Sequence, residues 1–134
     1  MVTKANSYFY GIGRRKSATA RARVMSGKGE ILINGQAASD YFANSAPIMR
    51  ELNEPLTVLG KVNDFNVTLV ITGGGHAGQV DAARLAIAKA LSTMSEDVNG
   101  SLRKVGLLKR DSREKERKKY GLRSARKREQ FSKR

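Results

Sequence analysis

Residues 73–78 have the types and spacing closest to those of a binding loop. The sequence there is Gly-Gly-Gly-His-Ala-Gly, a G-x-G-x-x-G run between a predicted strand and a predicted helix. Such a run can bind a dinucleotide pyrophosphate through amides at a helix N-terminus. A dinucleotide-binding fold also needs a second parallel strand after the helix, and residues 97–110 lack a β-branched run. The sequence therefore favours either a tight turn or amides that meet an RNA phosphate, with Gly74, Gly75 and Gln79 as candidate contacts.

A second glycine-containing segment, residues 11–17, ends in a Lys-Ser pair similar to that of a nucleoside-triphosphate loop. Arg15 stands where that loop requires glycine, which excludes a triphosphate site. Cations nevertheless crowd this turn and one face of the next strand, although like charges repel on an ordinary solvated surface. The pattern favours RNA phosphate binding over an ordinary solvated surface with no binding role. The candidate residues are Arg14, Arg15, Lys16, Arg21 and Arg23.

Residues for enzymatic or metal chemistry are scarce. The chain has one histidine, His76, and no cysteine, which excludes a histidine pair, a thiolate zinc site and a cysteine–histidine dyad. The carboxylates are scattered without an acid/base pair in a plausible pocket. We predict a protein that is not an enzyme and has no cofactor or metal. Tyr8, Phe9 and Tyr10 are equally consistent with base stacking and with packing against a core or a partner protein.

Positive charge is concentrated at the C-terminal end. The 134 residues carry a net charge of +14, and residues 109–134 contribute 13 basic and 4 acidic residues, net +9. This segment has few apolar residues and no periodicity, so it is expected to be mostly disordered when free. We predict an RNA-binding tail, with a merely solubilising tail as the alternative. Its candidate RNA contacts are Lys109, Arg110, Arg113, Arg117, Lys118, Lys119, Arg123, Arg126, Lys127 and Arg128.

The tail divides into two parts. Asp111 and Glu114 have capping-box spacing, so a short helix over residues 112–119 is expected on binding, and Gly121 would end it. Residues 122–134 would then span up to roughly 45 Å if fully extended.

The periodicity of residues 1–108 predicts a single α+β domain of two layers, followed by the tail, residues 109–134. In residues 17–25, small apolar residues alternate with basic and polar ones, and residues 17–34 are interpreted as a hairpin. We predict strands at 8–12, 17–25, 30–34 and 65–72, and helices at 39–42, 46–52, 77–94 and 98–107. An apolar run long enough for a signal peptide or a membrane span, about 20 residues for the latter, is missing, and a cytoplasmic protein is expected.

Three segments together resemble a known family: residues 10–18, residues 73–79, and residues 109–122 continuing to the terminal Gln-Phe-Ser-Lys-Arg. Their order and separation are similar to those of small-subunit ribosomal protein nine, of the bacterial and organellar type. The resemblance implies a four-stranded sheet backed by helices, with a left-handed βαβ crossover. The sequence departs from the family at Glu129, whose carboxylate brings a negative charge near the RNA. It also departs in the side chains at His76 and at residues 80–83.

The same resemblance implies a structural protein of the small ribosomal subunit, bound in the cytoplasm or in an organelle's stroma or matrix. Its expected partners are the 3′ major domain of the ribosomal RNA and neighbouring proteins of the subunit head. It also implies that the tail approaches peptidyl-site tRNA through Ser132, Lys133 and Arg134. The alternatives are a free, nonspecific nucleic-acid-binding protein and, more remotely, an enzyme that uses the glycine loop or a peptide that binds a membrane surface.

Overall fold

A five-stranded sheet and four helices make up the domain in this computed structural model, which describes residues 7–128 and 130. The strands lie in the order β1-β2-β5-β3-β4. Their bounds are β1 Phe9–Arg15, β2 Ala18–Ser26, β3 Ile31–Ile33, β4 Gln36–Ala37 and β5 Phe65–Thr72. The helices are α1 Ala38–Tyr41, α2 Ala46–Val58, α3 His76–Ser92 and α4 Glu96–Val105.

The alternation in β2 and β5 separates a buried face of the sheet from an open one. In β2, Ala18, Ala20, Ala22 and Val24 are at most 1% exposed, whereas the arginines between them face outward. Helix α3 covers the buried face of β1 and β2, and α2 packs against α3. The predicted α+β architecture and its helical layer are confirmed. None of the described helices is long and apolar enough to cross a membrane.

Strand β1 packs unusually close to α3 because glycine lies at the contact. Gly11 and Gly13 point toward the helix, and a Cβ built on Gly13 would lie 2.5 Å from the backbone nitrogen of Ala86 and would collide with the carbonyl oxygen of Ala82. The small side chains of the helix complete this contact. Backbone therefore lies against backbone, and any side chain at Gly13 must push the two elements apart.

The prediction of a hairpin over residues 17–34 is wrong. β2 is paired on one edge with β1 and on the other with β5, so β3 has no free edge of β2 to join. The chain instead crosses beyond β5, and β3 runs parallel to it. The crossing turn is fixed by Asn66, whose side-chain oxygen accepts hydrogen bonds from the backbone N–H groups of Lys28 and Glu30 at 2.9 and 3.1 Å.

The Asn34-Gly35 turn after β3 is present as predicted, with positive φ at both residues, 50° and 83°. It joins β3 to β4, a strand of two residues that raises the predicted count of four strands to five. The amide of Asn34 extends the β3–β5 pairing: its nitrogen donates to the carbonyl of Ile71 and its oxygen accepts from the N–H of Ile71, both at 3.0 Å.

The crossover from β3 to parallel β5 contains β4, α1 and α2. Helix α2 runs to Val58, six residues beyond the predicted end at Leu52, although Pro55 lies inside it. Leu52 and Leu56 are at most 1% exposed, so burial of this stripe outweighs the unfavourable helix propensity of proline.

We expect Gly13→Ala to lower the free energy of unfolding by about 2 kcal/mol or more, because the added methyl overpacks a backbone–backbone contact. Urea unfolding of the full chain measures this change. Gly100→Ala is the matched control, since a Cβ there meets nothing within 4 Å in α4. It should stabilise by about 0.5 to 1 kcal/mol through helix propensity. Equal effects of the two changes would contradict the proposed close contact.

Candidate nucleic-acid interface

The open face of the sheet carries exposed cations and apolar side chains side by side. The strand register aligns Ile12 with Arg21 and Arg21 with Val70, and in the next row it aligns Tyr10 with Arg23. Ile12 and Val70 are 37% and 51% exposed. The residues of the five strands that share this face include no aspartate or glutamate. We refer below to Tyr10, Ile12, Arg14, Arg21, Arg23 and Val70 as the basic sheet face.

The arginines of the basic sheet face are free of ion pairs within the described part of the chain. Arg14, Arg21 and Arg23 are exposed, and the salt bridges found among described residues involve other side chains. Arg23 instead lies over the ring of Tyr8, with its guanidinium carbon 5.1 Å from the ring centroid. Uncompensated guanidinium groups suit contact with phosphate, and the apolar surface beside them suits base stacking.

The aromatic residues at the start of β1 lie outside the core. Tyr8, Phe9 and Tyr10 are 48%, 36% and 42% exposed. Packing in the core of this domain is therefore excluded for these rings. Contact with an RNA base and contact with a partner protein remain the two interpretations of their exposure.

The glycine loop lies directly against the basic turn between β1 and β2. A Cβ on Gly73 would lie 2.5 Å from the Ser17 carbonyl oxygen, and one on Gly74 would lie 3.1 Å from the Ala18 nitrogen. Gly73 and Gly74 have φ of 73° and 67°, which side chains rarely adopt. The fold therefore joins two predicted phosphate-binding segments into one surface that includes the N-terminus of α3.

Gln79 stabilises the glycine loop through a hydrogen bond from its buried side chain. Its side chain is buried, with its nitrogen donating to the Gly73 carbonyl at 3.0 Å and its oxygen accepting from the Tyr41 hydroxyl at 3.0 Å. The predicted direct contact of Gln79 with RNA remains a prediction, and Gly74 and Gly75 are the exposed members of the predicted set. The loop leads from β5 into α3, and α3 is followed by α4, so the parallel strand of a dinucleotide fold is missing from the described chain.

Arg15 points to the helix side of β1, unlike its neighbours in the predicted cluster. Its side chain is 11% exposed and its Nε lies 3.3 Å from Asp81 Oδ2 in α3. Its Nη1 lies 3.1 Å from Asp111 Oδ1 and donates to the Arg113 carbonyl at 2.7 Å. Arg15 therefore attaches the first residues of the tail to the domain. We refer below to this arrangement of Arg15, Asp81, Asp111 and Arg113 as the clasp. The contact of Arg15 with RNA remains a prediction, and its structural role was not predicted.

The clasp continues into a chain of ion pairs across the helical layer. Arg84 lies 3.3 Å from Asp81 Oδ1 and 3.0 Å from Glu54 Oε2. The network thus connects α2, α3, β1 and the root of the tail. Asp81 was not predicted as a site residue, and its only local sequence signal is the three-residue spacing to Arg84.

Asp111 is held ionised in the clasp. The hydrogen bonds from the Arg113 side chain, then from its backbone N–H, and the charge of Arg15 hold the pKa of Asp111 far below its usual range. The same side-chain hydrogen bond raises the pKa of Arg113. The pKa of Asp111 is depressed in the folded state, so the ion pair contributes its full stabilisation of the fold above the ordinary carboxyl pKa. That stabilisation is lost only as pH falls through the lowered pKa.

Residues 112–119, beyond the clasp, are exposed and contain neither helix nor strand in the described chain. The helix expected there on binding remains a prediction. Residues 122–128 are turned back rather than fully extended: Leu122 and Arg128 form an antiparallel bridge, and the Arg123 N–H donates to the Lys127 carbonyl at 2.9 Å. Glu129, Ser132, Lys133 and Arg134 lie outside the described residues.

The tail also presents an aromatic side chain that was not predicted as a contact. Tyr120 is fully exposed, between Lys119 and Gly121. An aromatic ring among cations is a common element of surfaces that bind single-stranded nucleic acid. That adjacency in the sequence is the signal that could have identified it.

Comparison with known proteins gives one consistent family. Residues 13–134 match the sequence model of the family described as ribosomal protein S9/S16. The chain is 48% identical over 126 residues to a protein of Mesoplasma florum named small ribosomal subunit protein uS9, covering 94% of this chain and 95% of that protein. A protein of the same name from Gloeobacter violaceus has the same identity and coverage. A protein of Mesostigma viride named small ribosomal subunit protein uS9c is 45% identical, covering 94% of this chain and 92% of its own.

We expect Arg15→Gln to loosen the tail root, because the substitution removes the charge that bridges Asp81 and Asp111. The absence of native cysteine allows a single spin label at Ser112→Cys, whose mobility reports the attachment. Arg14→Gln is the matched control: it removes the same charge one residue away, from an exposed side chain outside the clasp. Label mobility should rise in Arg15→Gln alone, and an equal rise in both variants would show that net charge, rather than the clasp, holds the tail.

Proposed function

This chain belongs to the ribosomal protein S9/S16 family, and we propose that it is a structural protein of the small ribosomal subunit. It binds ribosomal RNA, in the 3′ major domain of the subunit head, and lies among other proteins of the head. It remains bound to the ribosome during translation. Its C-terminal residues Ser132, Lys133 and Arg134 reach peptidyl-site tRNA. The choice of RNA domain and the tRNA role come from the family resemblance.

The observation that carries the RNA-binding proposal is the basic sheet face with its unpaired arginines. An exposed set of like charges costs folding free energy unless a polyanion neutralises it. The face lies beside the glycine loop, whose exposed backbone at Gly74 and Gly75 precedes the N-terminus of α3. Amide groups and the positive end of the helix dipole add two further attractions for phosphate.

Binding of this kind releases condensed counterions from RNA, so it is strong and sensitive to salt. Guanidinium groups neutralise phosphates, while Ile12, Val70 and Tyr10 offer area for riboses or unpaired bases. Specificity then comes from the shape of the folded RNA and from the fixed spacing between the sheet face and the tail. The clasp at Arg15 sets that spacing by fixing where the tail leaves the domain.

A free, nonspecific nucleic-acid-binding protein would have the same charge without a fixed site. Sucrose-gradient fractionation of cell extract separates these two functions. Appearance with small subunits at stoichiometric amount supports the proposal, and appearance only away from them contradicts it. The glycine loop as an enzymatic nucleotide site is disfavoured by the fold, since its strand β5 is antiparallel to β2 and α3 leads into another helix.

We expect the double variant Arg21→Gln/Arg23→Gln to bind the head domain of the ribosomal RNA roughly tenfold or more weakly at near-physiological salt. The slope of log affinity against log salt should fall by about two, one for each phosphate that an arginine no longer neutralises. Filter binding across a salt series measures both quantities. Arg103→Gln/Lys104→Gln on exposed α4 removes the same charge and should change both quantities less. Equal reductions in affinity for the two variants would contradict a localised interface on the sheet.

We expect deletion of residues 132–134 to leave subunit assembly intact and to weaken binding of tRNA in the peptidyl site. The physical reason is the removal of two cations that neutralise phosphates of the anticodon stem-loop. Filter binding of tRNA to subunits that contain the truncated chain measures the effect. Arg103→Gln/Lys104→Gln serves as the charge-matched control, and tRNA affinity unchanged by the deletion would remove the tRNA role.

A further inference from the structure

Charge is distributed unevenly along this chain, and one region is net acidic although the whole chain is basic. Residues 27–64 hold three basic and five acidic residues, net −2, in a chain whose net charge is +14. Four of the five carboxylates in this region make no ion pair with the described part of the chain: Glu30, Asp40, Glu51 and Asp64. All four are exposed. An RNA backbone is repelled by such a region, whereas a cationic protein is attracted to it.

The same region contains an open groove along the outer side of α2. The inner side of the helix buries Leu52 and Leu56 in the core. The outer side, with Val62 from the following loop, lines a groove of about 490 Å³ whose apolar members are Met49, Val58 and Val62. Its charged members are Arg50 and Glu54, and Glu54 is paired with Arg84. Val58 is 38% exposed although it is a large apolar residue. The groove has room for the side chains of a short peptide segment.

A second depression continues this groove toward the edge of the sheet. It has a volume of about 260 Å³, shares Met49, Asn53 and Val62 with the first, and reaches Glu30 before β3. An apolar groove with the unpaired Glu30 in the adjoining depression is the arrangement of a protein-docking surface: the centre excludes water, and charge beside it selects partners. The basic sheet face has the opposite composition.

We infer that the α2 groove, lined by Met49, Asn53, Val58 and Val62, is the docking site of a neighbouring small-subunit protein. The occupant is a cationic segment of that protein, with an apolar side chain seated between Val58 and Val62 and lysine or arginine facing Glu30 in the adjoining depression. The inference rests on the proposed function, because it needs the assembled subunit to supply the partner. It gives the molecule two interfaces, one for RNA and one for protein.

Val58→Arg tests both the fit and the charge of the occupant. Wild-type and variant chains, distinguished by isotope labelling, compete at equal concentration during reconstitution of the small subunit from its RNA and its other proteins. Mass spectrometry of purified subunits gives the incorporation ratio. Val105→Arg is the matched control, since Val105 is also an exposed valine at the last position of its helix. Thermal unfolding of each variant checks that it is folded.

We expect Val58→Arg to be incorporated roughly tenfold less than wild type, the scale of a central interface residue, and Val105→Arg to compete about equally. On naked ribosomal RNA, Val58→Arg should bind no worse than wild type. Equal or improved incorporation of Val58→Arg would overturn the inference, and improvement would indicate RNA in the groove. Failure of the wild-type chain itself to enter subunits would refute the proposed function instead.

A photo-crosslinking residue at Thr57, which is exposed beside the groove, gives an independent measurement in assembled subunits. The expected product is a crosslink to another small-subunit protein, mapped by mass spectrometry to a segment rich in lysine or arginine. A crosslink to ribosomal RNA, or none at all, overturns the inference. A crosslink to a second copy of this chain does the same.

Discussion

The close contact between β1 and α3 is the constraint on which the other features depend. Gly11 and Gly13 leave no room for a side chain between the strand and the helix backbone. Side chains alternate along a strand, so the residues between these glycines must point to the open face. Ile12 and Arg14 are placed on the open face in this way. At Arg15 the strand has passed the tight contact, and the side chain on the inner face there reaches Asp81. Packing thus decides which cations the open sheet face presents to solvent and which one is used inside the protein.

The two surfaces of the molecule follow from the same layering. The open sheet face has cations without carboxylates, whereas the outer side of α2 lies in a region of net −2. A uniformly cationic surface would bind RNA in many orientations with similar free energy. A molecule with one cationic side has a preferred orientation before contact, since long-range attraction turns that side toward the polyanion. On the proposed function, the outer side of α2 is then left accessible to a neighbouring protein.

The sequence pattern correctly predicted those helices and strands that depend mainly on residues close together in the chain. The strand at 65–72, the alternation of β2 and the α3 helix are confirmed because burial of a regular apolar stripe decides each of them. Strand partners depend on distant segments, and so the hairpin over 17–34 was wrong. The inward role of Arg15 was also beyond local reasoning, because its partners Asp81 and Asp111 lie 66 and 96 positions further along the chain. For the predicted phosphate contacts, the sequence could identify the cationic side chains but not the face of the sheet on which each one lies.

The clasp at the tail root also determines how salt acts on this protein. Contacts between exposed arginines and phosphates are screened strongly and weakened further by counterion uptake. The Arg15 side chain is only 11% exposed and is joined to a carboxylate on each side, with a hydrogen bond to the Arg113 carbonyl. Screening of such a partly buried arrangement is weaker than that of surface pairs. On the proposed function, rising salt therefore releases the basic sheet face from RNA before it frees the tail root from the domain. A tail held at a fixed origin searches a smaller volume for its proposed RNA site, which lowers the entropy cost of each new association.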